Sequence, residues 1–403
     1  LGLVGSEMCI RDSSNLELVS AWDDPLAFGA VDAEYKNGWV YLLKTPTVDM
    51  FKYSILILDA RNPWGYYRLR EEFETPWNHG VMERLGDYIF LGYEVLRIRE
   101  DGSLEFVWET PIPRKGGAQK AFMLDANFGF FSFDTVYILG SAYDYGGLVI
   151  SASNPESTFY YSRVSVGYFS QPYPPYYLYT SGGGGLMLFS LKNPYEPQLI
   201  YESGTNVGNP GDFAIYHYEG TDYLVKGSWL SGNIYVFSLK NPEEPEEVLA
   251  FPGGALMLTT HSDKIYAAYY YLTVYRWDTL LGYYYLEGGE ATEVRFKDGL
   301  IFVPLIHGKY DLMVFHFPED TIGAFPPRQD SIWVFRNTLF FRLSEARDYR
   351  VKVYTPDGRL YKDLGVVEAC KGLCSYPLDL TKRGVYVILL ESGGKRRALK
   401  CWF

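Results

Sequence analysis

The sequence holds 5 histidines, the side chains that titrate nearest neutral pH. They are His79, His217, His261, His307 and His316. No two stand at a metal-pair spacing, so no metal is expected. His217 and His316 fall in alternating apolar stretches, as strand residues do. His79 and His307 lie in turn-rich segments, "ETPWNHG" and "IHGKYD". Either would act as general acid or base only beside a carboxylate at hydrogen-bond distance. Asp23, Asp24 and Asp144 are the carboxylates in comparable turns. No G-x-S-x-G elbow for a nucleophilic serine occurs. "SGGGG" (Ser181 to Gly185) lacks the lysine and following helix of a phosphate loop. No catalytic residue and no cofactor is therefore assigned.

The remaining candidates suit binding. "ETPWNHG" and "ETPIPRKGG" echo each other and offer Trp77, His79, Arg114 and Lys115. "SAYDYGG", "KGSWLSGN" and "IHGKYD" offer Tyr143, Tyr145, Trp229, His307 and Lys309. An exposed ring on a rigid frame stacks on a sugar or anchors a protein partner. A ring can equally fill a gap between packed sheets, and the residue types leave both uses of Trp77 and Trp229 open.

The frame is legible in composition. The chain has 403 residues, 47% hydrophobic, with 37 Tyr and 25 Phe, residues that favour pleated sheet. Its 40 Gly and 22 Pro cluster between short apolar runs, as turns do in all-β proteins. The net charge is −12 and the basic residues are scattered. No basic stripe follows a phosphate backbone, so a nucleic-acid partner is not expected. No apolar run approaches the ~18 residues that a transmembrane segment needs. The cysteines are Cys9, Cys370, Cys374 and Cys401. "CKGLC" permits a local disulfide between Cys370 and Cys374 if the loop brings their Cα atoms within roughly 4.4–6.8 Å. Two free thiols are the alternative.

Residues 1–13, "LGLVGSEMCIRDS", match nothing that follows. "MCIRDS" resembles the translation of a transposon end used in sequencing libraries, so this segment is expected to be a non-native artefact. A signal peptide could have been lost with the true N-terminus.

A repeat runs through the next three hundred or so residues. "FSLKNPYEPQLI" (Phe189 to Ile200) returns as "FSLKNPEEPEEV" (Phe237 to Val248). "LILDARNP" and "LVISASNP" end on the same Asn-Pro turn, and "VLRIREDG", "LTVYRWDT" and "LMVFHFPE" are weaker versions. The intervals are roughly 39 to 53 residues, the range of stacked repeat units. Asn bonds the nearby backbone and Pro sets φ, so the chain turns into an antiparallel neighbour. Upstream lie hairpins, such as those around Asn37-Gly38 and Asp298-Gly299, where both turn positions accept positive φ. Each unit thus reads as four short antiparallel strands. Such a sheet cannot bury its own faces, and packing units around an axis buries them. Seven anchors predict an all-β fold, a seven-bladed β-propeller over residues 14–326. "NLELVSAW" (Asn15 to Trp22) is expected to close the ring as the last blade's fourth strand, the competing reading being that it belongs to a lost eighth blade upstream. The candidate segments would then share the face carrying the loops after each second and fourth strand.

"GGLMLFSLKNPYEPQLI", "GNIYVFSLKNPEEPEEV" and "GGLVISASNPEST" resemble the units of LVIVD-repeat propellers, although Phe189 and Phe237 replace the usual Asp. The resemblance implies a propeller, commonly on exported or surface proteins, and no catalytic set. Residues 327–403 form a second unit with "VKVYTPDGRL" and "DLTKRGVYVILL". It is similar to the C-terminal sorting domains of type-9 secretion and to small Ig-like β-sandwiches, with "CKGLC" altering the usual long loop. The expectation is an exported or cell-surface, non-catalytic protein with a protein or glycan partner, anchored through this C-terminal domain. The alternative is an enzyme acting on polysaccharide, a lyase or hydrolase, with His79, His307 and nearby carboxylates in the central channel; a purely structural surface component is the third reading.

Overall fold

The structure, a computed structural model, describes residues 16–23, 27–46, 54–75, 81–112, 126–140, 146–164, 169–182, 185–203, 211–228, 231–253, 255–318, 331–335, 338–343, 346–356, 358–369, 372–378, 380, 385–393 and 395–402. Among these the chain is nearly all strand, with one 3-10 turn at Pro155–Ser157.

After β1 (Glu17–Trp22) come β2 (Ala27–Lys36), β3 (Trp39–Pro46), β4 (Ser54–Asp59) and β5 (Arg68–Glu74). Next are β6 (Met82–Leu85), β7 (Tyr88–Leu91), β8 (Glu94–Ile98) and β9 (Leu104–Glu109). Then follow β10 (Ala126–Phe130), β11 (Thr135–Leu139), β12 (Gly147–Ser151) and β13 (Phe159–Val164). The fourth group is β14 (Ser170–Tyr173), β15 (Tyr177–Gly182), β16 (Gly185–Ser190) and β17 (Gln198–Glu202). The fifth is β18 (Phe213–Tyr218), β19 (Thr221–Ser228), β20 (Asn233–Ser238) and β21 (Glu246–Pro252). The sixth is β22 (Met257–His261), β23 (Lys264–Ala268), β24 (Tyr271–Arg276) and β25 (Thr279–Tyr285). Last come β26 (Glu290–Ala291), β27 (Arg295–Lys297), β28 (Leu300–Ile306) and β29 (Leu312–His316).

The second to sixth groups are separate four-stranded sheets in chain order. The first and last groups join in one nine-stranded sheet, because Gly29 of β2 pairs with Ile306 of β28. Gly29 has φ +129°, and a Cβ there would lie 2.4 Å from the Leu305 carbonyl oxygen. Only glycine permits that approach. The N-terminal β1 pairs antiparallel with β29, in the place expected for the last group's fourth strand.

The innermost strands touch in sequence. β2 packs on β6, β6 on β10, β10 on β14, β14 on β18, β18 on β22, β22 on β27, and β27 and β28 on β2. The cores lie between neighbouring sheets. Tyr41, Leu43, Ile55 and Ile57 of the first group bury against Met82, Ile89, Leu91 and Leu96 of the second. Val40, Leu42 and Leu56 bury against Phe302, Leu312 and Val314 of the last. The fold is an all-β propeller.

The Asn-Pro turns have a double use. Asn154, Asn193 and Asn241 each accept the backbone N–H two residues on, which shapes the turn. The turn carbonyls then receive side chains of the preceding sheet. Ser162 Oγ donates to the Pro194 oxygen, and Tyr179 Oη to the Pro242 oxygen at 2.8 Å. Trp108 Nε1 donates to the Thr158 oxygen beside the third such turn. The repeated phrase is thus a latch between adjacent sheets as well as a turn.

The C-terminal strands are β30 (Ser331–Phe335), β31 (Thr338–Leu343), β32 (Arg347–Tyr354), β33 (Leu360–Ala369), β34 (Gly372–Pro377), β35 (Val385–Ser392) and β36 (Lys395–Trp402). They form two sheets, β30-β31-β34 and β33-β32-β35-β36. One core joins them, with Leu339 and Tyr376 from the first and Val351, Val353, Ile388 and Leu390 from the second. Cys370 lies outside the described residues, and of Cys374 only the backbone, in β34, is described.

Candidate functional site

Trp77, His79, Arg114, Lys115, Tyr143, Tyr145 and Trp229 lie outside the described residues. His307 and Lys309 are described, both exposed on the turn between β28 and β29. His307 takes φ +61° there. Among the described residues no carboxylate bonds to it. Lys309 Nζ lies 3.9 Å from Glu287 Oε2 and 4.9 Å from the centroid of the Tyr310 ring. Partial burial opposes its charge, yet Tyr310 and Glu287 together hold the ammonium above its ordinary range.

The other described histidines have structural partners. His217 Nδ1 meets Asp222 Oδ1 at 2.8 Å, and His261 stacks on Phe296 at 3.8 Å. His316 is buried, edge-on to Trp64.

What the fold gathers beside Lys309 is a rim of tyrosines. Tyr269 and Tyr270 occupy the tight turn between β23 and β24, and Tyr271 opens β24. Tyr285 closes β25 directly opposite Tyr271 in the strand register. Backbone bonds fix this corner. Leu286 N–H donates to the Tyr270 oxygen at 3.0 Å, and Ala291 N–H to the Tyr269 oxygen at 2.8 Å. The following turn takes Glu287 and Gly288 through φ +54° and +82°. It brings Glu287 to Lys309, and Gly289 packs against Gly308. The ends of the sixth group and the β28–β29 turn of the last group therefore share one edge of the propeller.

The rings are accessible. Tyr271 and Tyr285 are each 47% exposed and Tyr270 is 40% exposed. The Tyr271 and Tyr285 rings stand 5.3 Å apart at 50°, and Tyr269 and Tyr270 4.1 Å apart at 45°. Tyr269 Oη donates to Tyr270 Oη, which donates to Glu290 Oε1 at 2.9 Å. These bonds, the Tyr269 hydroxyl first and the Glu290 carboxylate next, push the Tyr270 phenol well above its ordinary range. The Tyr270 phenol therefore stays protonated beside the Glu290 carboxylate. "AAYYYLTVY" and "GYYYLEGGE" carry these tyrosines, and the density of Tyr was the available signal. In sequence they read as ordinary strand aromatics.

A second polar cluster lies on the inner strands. Arg295 of β27 donates from Nη1 to Glu83 Oε2 at 2.6 Å and from Nη2 to the Met82 oxygen at 3.1 Å. Asp32 and Glu293 lie 3.5 Å from the same guanidinium. Glu34 faces Arg84 at 3.5 Å and Lys297 at 3.9 Å. Burial first, offset in part by Arg295, pushes Asp32 and Glu83 up and raises Glu293 to about 7. Asp32 and Asp212 play one structural part. Each accepts the N–H of the next residue and that of the neighbouring inner strand, Met82 at 2.8 Å and Leu258 at 3.0 Å. These groups tie sheets together; Asp32, Glu34, Glu83 and Asp212 are buried, while Arg84, Glu293, Arg295 and Lys297 are half-buried.

Glu94, at the start of β8, is raised to about 7 by burial and then by Glu109. It is enclosed as well. No group of three or more His, Cys, Asp or Glu that could hold a metal ion occurs among the described residues. Among them no helix is long and apolar enough to cross a membrane.

No protein-family model matches the chain, and no curated protein matches it in sequence. Solved structures resemble it in fold. Raptor from Chaetomium thermophilum aligns at TM-score 0.51 and 8% identity, over 77% of this chain and 29% of that one. The chain thus spans under a third of that protein. BBS1N, solved in complex with ARL6DN, aligns at TM-score 0.49 and 12% identity, over 77% and 99%. The Cps50 (Swd1) β-propeller domain from Myceliophteria thermophila aligns at TM-score 0.49 and 11% identity, over 71% and 96%. At these identities the likeness is one of fold alone.

Proposed function

We propose that this chain is a non-catalytic binding propeller, exported or displayed at the cell surface, that takes a protein or glycan partner on its loop-rich face. The propeller is read as seven LVIVD-like blades over residues 14–326, closed by β1. The cyclic contacts of the inner strands and the β1–β29 pairing support this reading. Residues 327–403 are read as an Ig-like domain related to type-9 sorting domains. Their two sheets around one core, and the motifs "VKVYTPDGRL" and "DLTKRGVYVILL", support that reading and with it export and anchoring.

One observation carries the binding role. Tyr270, Tyr271 and Tyr285 present large, half-exposed rings on a corner whose backbone is pinned by hydrogen bonds. Rings held this way contribute contact area at small entropic cost. Trp77, His79, Arg114, Lys115, Tyr143, Tyr145 and Trp229 belong to loops read as opening on the same face, and remain candidates with His307 and Lys309.

The test is a binding screen of the full chain against purified surface proteins and glycans, repeated on Tyr270→Ala and Tyr285→Ala. Loss of a hot-spot ring is expected to weaken the bound partner about tenfold or more. Binding that is unchanged in both variants removes the rim from consideration.

A further inference from the structure

We propose that the tyrosine rim binds an uncharged oligosaccharide, with sugar faces stacked on Tyr271 and Tyr285 and hydroxyls bonded to Glu287, Glu290 and Lys309. This rests on the binding role proposed for the rim and names its ligand class.

The chemistry of the rim separates the ligand classes. A protein hot spot is a desolvated pocket with apolar anchors inside a ring that excludes water. Tyr270, Tyr271 and Tyr285 are 40–47% exposed rather than enclosed, and each ring ends in a hydroxyl. Its flanking groups, Glu287, Glu290 and Lys309, are charged. A pyranose matches that mixture. It carries an apolar C–H face for an aromatic ring and a belt of hydroxyls for carboxylates and ammonium. Tyr271 and Tyr285 face each other across the strand register, both 47% exposed. Neither ring is consumed as core.

The polar groups are arranged as acceptors. The Tyr269 and Tyr270 hydroxyls run in series to Glu290 Oε1. Glu290 is thereby held in place, and a carboxylate has further acceptor positions for sugar hydroxyls. Glu287 is held by Lys309 at 3.9 Å.

Charge selects against acidic glycans. Two carboxylates stand beside one ammonium, and that ammonium already faces Glu287. The whole chain carries −12. A uronate or sulfate ester approaching the rim would meet net negative potential, and like-charge juxtaposition disfavours the wrong partner. A neutral sugar suffers no such repulsion and gains the charge-assisted bonds.

The experiment is a calorimetric titration of the full chain with maltohexaose, xylohexaose, mannohexaose and cellohexaose, against polygalacturonate fragments and chondroitin sulfate. At least one neutral probe is expected to bind at millimolar concentration or below, and the acidic probes are expected not to. Tyr271→Ala and Tyr285→Ala should each weaken binding about tenfold or more, the effect of losing one stacked ring, while Tyr285→Trp should restore it. Thermal melts should show each variant folded with only a small drop, because these rings are half-exposed and outside the core clusters. Failure of every neutral probe, preference for an acidic probe, or binding indifferent to both tyrosine variants would overturn the assignment. A purified protein that loses affinity on the same variants, with no sugar bound, would sink the glycan and leave the binding role standing. Indifference of both ligand classes to the variants would sink the two together.

Discussion

Arg295 Nη1 donates to Glu83 Oε2 at 2.6 Å, so a residue of β27 is bonded to a residue of β6 past the first group's inner strand. The same guanidinium reaches the Met82 carbonyl and faces Asp32 and Glu293. One cation therefore serves three strand groups, in two sheets, at the seam where the first and last groups meet. Removing one partner of a buried ion network is costly, because the others stay buried and unpaired. Arg295→Met is expected to lower stability by about 3–5 kcal/mol. Urea unfolding of parent and variant measures this.

The seam also makes stability depend on pH. Burial raises Glu293 to about 7 from its ordinary 4.5, and raises Glu83 and Asp32 in the same sense. A carboxyl whose folded value is raised holds its proton more tightly when folded. Its contribution is complete below the unfolded value and is lost as pH rises through the folded one. Burial opposes the Arg295 charge, but Glu293, Glu83 and Asp32 hold the guanidinium above its ordinary range, so it stays cationic across this window. The melting temperature of the parent minus that of Glu293→Gln is expected to fall between pH 5 and pH 8. A flat or rising difference would contradict the assignment.

Asp212 closes a gap between two inner strands through Leu258 N–H. Asp212→Ala leaves that buried donor unsatisfied and is expected to cost about 1–3 kcal/mol. Asp212→Asn keeps one acceptor oxygen and should cost less. Denaturant midpoints at constant slope distinguish the two.

The Asn-Pro latch makes a narrower claim. Tyr179→Phe removes only the hydroxyl that reaches the Pro242 carbonyl, and Tyr179 is fully buried. The expected loss is about 1 kcal/mol. Tyr195→Phe, at an exposed ring in the same kind of turn, should change stability by less than about 0.5 kcal/mol.

Gly29 sets how closely the first and last groups approach. Gly29→Ala places a methyl against the Leu305 carbonyl at a backbone angle that L residues avoid. A loss of about 1–3 kcal/mol is expected. Amide exchange should quicken first at Ile306, the strand partner of Gly29.

The blade pattern was legible because its signals are local. Asn37-Gly38 and Asp298-Gly299 take the positive φ pairs that their types suggest. All seven anchor strands became third strands, β4, β8, β12, β16, β20, β24 and β29, each followed by a turn or bend. The rim was half legible. His307 and Lys309 were singled out by their turn, whereas Tyr269, Tyr270, Tyr271 and Tyr285 were hidden among like residues. The tyrosines of β24 and β25 look alike in sequence. Tyr275 of β24 is buried, while Tyr271 is exposed. Position along the sheet decides between them.

By itself the sequence determined the turns, the strand periodicity and the number of anchors, since these depend on neighbours within a few residues. Tertiary structure alone decided which charges met at Arg295 and which tyrosines reached the edge. Glu83 and Arg295 are 212 residues apart. Their pairing follows from closure of the ring, and burial is a property of the packed sheets rather than of any one strand.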